Sequence, residues 1–280
     1  MSNWDQWNNK NDDQSYGQQG YGHPGHAQQG YDQQGYGDYA GAQAMSEGYA
    51  HSMFAADAAK SDRMAFIQKT YLHLGLAILA FVIVEVIALK VIAPMIGEQV
   101  LMGWFFSGYN MLILVGAFIG ISFLADMWAK SNTSPAMQYA GLGIYVLAEA
   151  VIFMPLLLIA ENFYPGAIGT AGIATLAIFG TLTAFVFISK ADFSFMGPFL
   201  AICGIAALAT IVASIIMGTG LGVWFTGLMI LFAGGYILYD TSNIMHHYRT
   251  DQHVAASLAL FASVAMLFWY VLRLVMAMRE

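Results

Sequence analysis

The chain has 280 residues, of which 59% are hydrophobic and only 10% charged, against roughly 25% charged in ordinary soluble domains. Its formal charge of −7 is concentrated at the start: residues 1–59 hold seven acids and Lys10 alone, whereas residues 60–280 carry ten acids and nine bases. Such a balance excludes nucleic acid as a partner and electrostatic docking on anionic lipid, and the single Cys203, inside an apolar stretch, excludes an intramolecular disulfide.

Residues 1–60 are expected to be a disordered cytosolic tail. They are rich in Gln, Gly and Tyr, with no aliphatic cluster to offset the entropy of ordering. A five-residue repeat runs through them, as in Gln18–Gly22 (QQGYG), Gln28–Asp32 (QQGYD) and Gln33–Gly37 (QQGYG). This composition suits a solvated tether, with weak Tyr-mediated clustering as the alternative. The first apolar run begins after residue 64, so it is expected to act as an uncleaved targeting element.

Seven apolar stretches follow, at about 66–92, 109–127, 136–160, 167–188, 195–217, 222–244 and 254–276. Each can cross a hydrocarbon core about 30 Å thick. The expected fold is therefore an all-α integral membrane bundle of seven transmembrane helices over residues 61–280. Loop chemistry separates the stretches: Pro94 and Gly97, Ser131–Pro135 (SNTSP), Tyr164–Gly166 (YPG) and Gly218–Gly222 (GTGLG). Pro155 and Pro198 are read as helix breakers or kinks, and Gly234–Gly235 as a site of close helix approach.

Basic residues set the orientation. Lys60, Arg63, Lys69, Lys130, Lys190 and Arg249 share one side if the N-terminus is cytosolic, and the opposite loops offer Lys90. Arg273 and Arg279 do not fit. Either the C-terminus is outside, or the last segment re-enters.

Ionisable residues within a bilayer are costly and point to function. Asp126, beside Trp128 and Lys130, reads as interfacial, and Glu85, five residues before Lys90, as a carboxylate near a lysine. Glu149 sits mid-span, six residues before Pro155, and needs a polar cavity or a partner helix. Asp240 is the strongest candidate. In ILYDTSNIMHHY, Tyr236, Asp240, Asn243 and His247 fall on one helical face. The negative end of the helix dipole and the loss of water both penalise its charge, so a proton- or cation-responsive carboxylate is expected there. His246, His247 and His253 are too poorly fixed for a metal site but could form a cytosolic pH input.

Segments Phe66–Leu79, Lys190–Gly197 (KADFSFMG), Tyr236–His246 (YILYDTSNIMH) and Ser257–Arg273 resemble the Bax inhibitor/YccA-like membrane proteins over roughly 64–276, and the acid-TSNI-His run is similar to the bacterial YccA branch. The resemblance implies a fold in which the last helix is surrounded by the other six. It also implies two activities. The first, toward which the reading leans, is regulation of a membrane-bound FtsH-type AAA protease, and so of membrane protein homeostasis, in the bacterial inner membrane. The alternative is a pH-sensitive calcium or cation leak gated by Asp240, with Ser263, Asn243 and Glu149 lining the path and calcium or protons as the species bound. In calcium-conducting relatives, the acid at the position of Asp240 pairs with a second acid in the last helix. Here Ser263 stands at that second position. Lys130 is the counterpart of a basic residue at the end of the second helix in some relatives. No enzyme and no cofactor is expected: HExxH and GxSxG are absent, and no lysine lies in the last helix to form a Schiff base.

Overall fold

A computed structural model describes residues 54–130 and 134–279. The expectation of a disordered tail over residues 1–60 lies almost wholly outside the described residues. Those residues form seven helices long and apolar enough to cross a membrane. They are α1 (Lys60–Ile96), α3 (Asn110–Ala129), α4 (Pro135–Phe163), α5 (Ala167–Ser189), α6 (Gly197–Met217), α7 (Val223–His246) and α8 (His253–Ala277). A shorter helix, α2 (Glu98–Phe106), joins α1 to α3. The expected stretches recur as helices with ends shifted by a few residues, as apolar length dictates.

Three local features differ from expectation. The gap after the first span is not a plain loop. Helix α1 passes through a π-helical turn at Ala88–Ile92 and beyond Pro94, then stops at Gly97, whose φ of +97° reverses the chain into α2. The π turn absorbs the hydrogen bond that Pro94 cannot donate. Pro155 does not break α4, which runs unbroken for 29 residues. Pro198 lies in the first turn of α6, where a missing N–H costs nothing.

Helix α8 is the core. It packs against α1, α3, α4, α5 and α7, and Leu260, Leu267 and Leu272 along it are fully buried. Aromatic rings lock it to α1 and α4, with Phe268 stacked 5.8 Å from Phe153 and Phe261 edge-on to Phe81 at 6.0 Å. Helix α6 is the outlier, with Leu200 its one buried residue.

The first and last described residues, Phe54 and Arg279, fall at opposite ends of the bundle. Ala55 N donates to Tyr248 O at 2.8 Å, which ties the entry to α1 to the α7–α8 loop. Arg279 Nη1 donates to Pro165 O at 2.6 Å and Arg273 Nη2 to Leu221 O at 3.1 Å, in the α4–α5 and α6–α7 loops. Helix α8 therefore runs the full height of the bundle and does not re-enter. Arg273 and Arg279 lie at the end opposite Lys60 and Arg249.

Candidate functional site

The local sequence dictates how α7 carries its acid. Ile237 and Ile244, one turn either side of Asp240, are fully buried and hold this side of the helix against the core. Asp240 is 7% exposed, and Ser263, 3% exposed, donates its Oγ–H to Asp240 Oδ2 from α8. A carboxylate removed from water needs such a partner.

Asp240 and Ser263 border a cavity of about 660 Å³ between α3, α4, α6, α7 and α8. Glu149 of α4 is on its wall, as is Tyr145 one turn earlier. The lining is mostly apolar, with Phe118, Ile211 and Met266 typical. Ser214, Leu221 and Arg273 line its other end, by the α6–α7 loop. The cavity thus runs from a buried acid to a cation at the opposite end of the bundle.

The structure divides the polar face expected on α7. Tyr236 and Asp240 line the cavity. Asn243 is half-buried and off the cavity wall. Its carbonyl accepts from His247 N at 2.7 Å and Tyr248 N at 2.9 Å, which ends the helix. His247 therefore leaves the helical register and reaches Asp192 Oδ2 at 3.3 Å. The histidines separate too: His246 Nδ1 meets Ser242 O at 3.0 Å, and His253 joins His73 and Tyr139, with Tyr139 Oη 3.0 Å from His73 Nε2 and 3.4 Å from His253 Nε2.

Lys130 pairs with Asp126 at 2.8 Å, and both are half-exposed, as an interfacial acid should be. Glu85 is a different matter. It is 4% exposed, with both carboxylate oxygens buried and without a hydrogen-bond partner, and Lys90 turns instead to Glu161 on α4. Residues five apart on a helix point about 140° away from each other, so Lys90 does not face Glu85.

Sequence reading missed Asp192, in the α5–α6 loop. Its Oδ1 accepts from Ser194 N at 2.8 Å and from Ser242 Oγ at 3.2 Å, while Ser242 Oγ also accepts from Phe193 N at 2.8 Å. The Ser194 backbone N–H, with help from the Ser194, His247 and Ser242 side chains, holds the Asp192 carboxyl well below the usual carboxylate range. This network clamps the loop to the end of α7. The Asp-x-Ser spacing in KADFS was the available signal.

A seven-helix bundle with a hydroxyl-bonded carboxylate beside a cavity between helices defines the class: a polytopic membrane protein with a buried acid. The family model described as inhibitor of apoptosis-promoting Bax1 matches residues 63–280, and the chain belongs to that family. It is 28% identical over 226 residues to Bax inhibitor 1 of Schizosaccharomyces pombe, covering 78% of this chain and 79% of that protein. It is 26% identical over 227 residues to protein lifeguard 4 of Mus musculus, covering 78% and 87%. An uncharacterised protein of Pasteurella multocida is 26% identical over 202 residues, covering 71% and 83%.

Proposed function

We propose that this protein is a proton-responsive cation leak of a bacterial inner membrane, with its N-terminus cytoplasmic and Asp240 as its gate. The carrying observation is that Asp240 is buried beside a cavity that reaches Arg273 at the far end of the bundle. On the other side of Asp240, α7 continues into buried Ile244 and Met245. When ionised, the Asp240 carboxylate takes a charge-assisted bond from Ser263, which holds α7 against α8. Protonation weakens that bond, so the two helices part more readily as pH falls.

Calcium would be cargo rather than a resident ion. A calcium site takes 6–8 oxygens, and one carboxylate with one hydroxyl supplies too few. Among the described residues no three His, Cys, Asp or Glu side chains gather to complete such a set. Weak discrimination between calcium and monovalent cations follows. The test is flux from loaded liposomes containing the purified protein across pH 5–8. Asp240→Asn should flatten the pH profile; flux and profile equal to the parent would remove the basis of the gate.

A second reading, regulation of an FtsH-type AAA protease and so of membrane protein homeostasis, is favoured by the polar stretch of residues 1–59 ahead of α1. Such proteases grip unstructured ends. Crosslinked membranes should then be enriched in the protease, and its substrates should change half-life when this protein is overproduced. Neither effect appearing would dismiss it.

A further inference from the structure

Hydroxyls within apolar helices ordinarily bond back to the carbonyl four residues earlier, and most here do. Thr70 donates to Phe66 O at 3.0 Å, Ser122 to Phe118 O at 2.7 Å, Thr181 to Ala177 O at 2.7 Å and Thr210 to Ala206 O at 2.8 Å. Thr175 and Thr183 on α5 and Thr241 on α7 do not. Their Oγ1 atoms are buried and without a hydrogen-bond partner, and so is the hydroxyl of Tyr71 on α1. Thr241 is 0% and Thr183 9% exposed. Thr183 and Thr241 each come near the Tyr71 hydroxyl without reaching hydrogen-bond geometry.

Three buried orphan hydroxyls in one place call for a further partner. A water molecule needs 2–4 polar partners, which this cluster supplies. The neighbourhood gives that water a role. Thr241 follows Asp240 in the chain, and Asp240 is the charged group acting on Tyr71 among the described residues. The cluster also lies nearer the α7–α8 loop than the Asp240–Ser263 bond does. Ser257 Oγ, in the second turn of α8, donates to Thr70 O at 2.8 Å, whereas Ser263 is six residues further along, about 9 Å at 1.5 Å per residue.

We infer that Tyr71, Thr183 and Thr241 bind ordered water, and that this water carries protons between Asp240 and the α7–α8 loop end of the bundle. A proton leaving the Asp240 carboxyl passes to water, and each hydroxyl gives one proton as it takes another, so the cluster ends unchanged. The cavity supplies the other half of the path. The proton-carrying role rests on the proposed gate; the water site does not.

The test uses the full chain in lipid nanodiscs, irradiated with X-rays so that bound water yields hydroxyl radicals, with labelling read by mass spectrometry. Tyr71 should be labelled at least about tenfold faster than Phe66, which is 1% exposed. The Thr183→Val/Thr241→Val variant should bring Tyr71 down to the Phe66 rate. Labelling of Tyr71 at the Phe66 rate in the unaltered protein would overturn the site, whether or not the variant folds; so would unchanged labelling in a folded variant. In proteoliposomes, Tyr71→Phe should slow proton flux about tenfold, and unchanged flux would overturn the relay. A labelled Tyr71 in a protein with no flux at all would retain the water site and defeat the relay with the leak.

Discussion

A carboxylate taken into a helical bundle gives up hydration worth several kcal/mol, and Asp240 recovers part of it through a single side-chain hydroxyl, that of Ser263. Removing that hydroxyl leaves the acid without its partner. Ser263→Ala should therefore destabilise the bundle by about 1.5–3 kcal/mol, measured by unfolding in detergent. In the Asp240→Asn background the same change should cost clearly less; equal losses in both backgrounds would mean that the bond does not couple the helices. Asp192 permits a test with a defined sign. Its carboxyl is held below the usual range when folded, so the folded chain binds fewer protons there than the unfolded one. Its contribution is complete above the unfolded value of roughly 3.9 and is lost as pH falls through the folded value. The side chain is 49% exposed, so water screens the contribution. The stability difference between the parent and Asp192→Asn should be constant from about pH 5 to 7 and shrink below about pH 4. A difference that stays level down to about pH 3 would show that the clamp does not favour the charged form.

At the scale of elements, the tightest contact is between α3 and α4. A Cβ placed on Gly141 would lie 2.6 Å from Ala125 O and 2.8 Å from Ala129 N, both backbone atoms that cannot step aside. Gly141→Ala should therefore push α3 away and cost about 1–3 kcal/mol, seen as a lower unfolding temperature. Gly235→Ala meets only side-chain atoms, Leu200 Cδ2 at 3.2 Å and Met196 Cε at 3.5 Å, and should cost less. Equal effects would contradict the geometry. The contrast also marks what the sequence discloses. Uninterrupted apolar length reveals each spanning helix, because the bilayer imposes it. It does not reveal which glycine touches a backbone: the Gly234–Gly235 pair is the expected close approach, and Gly141 carries the contact. Nor does nearness in sequence find partners. Lys90 is five residues from Glu85 but pairs with Glu161, 71 positions away, since residues five apart do not share a helical face. Asp240 was legible because an acid within an apolar run stands out. The orphan hydroxyls were not, since a threonine satisfied by its own helix looks the same in sequence as one that is not.

For the molecule as a whole, the distribution of cations over the two faces bears on its orientation. Lys60, Arg63, Lys69, Lys130, Lys190 and Arg249 lie at the end that holds the α7–α8 loop, and Lys90, Arg273 and Arg279 at the other. By the excess of basic residues, the first end is the one expected to face the cytosol. The two C-terminal arginines do not reverse this, because each is bound to a loop carbonyl of the opposite face, Arg273 to Leu221 O and Arg279 to Pro165 O. Satisfied in this way, they act as fastenings for α8 rather than as free charges that resist translocation. A reporter fused after residue 280 should accordingly be active only outside the cytosol, and one fused before residue 1 only inside. Replacing both arginines with glutamine should loosen α8 at that end and leave the orientation as it is. Both reporters on the same side would mean that α8 does not cross the membrane; a reversed pair after Arg273→Gln/Arg279→Gln would mean that these two charges, and not the six at the other end, set the topology.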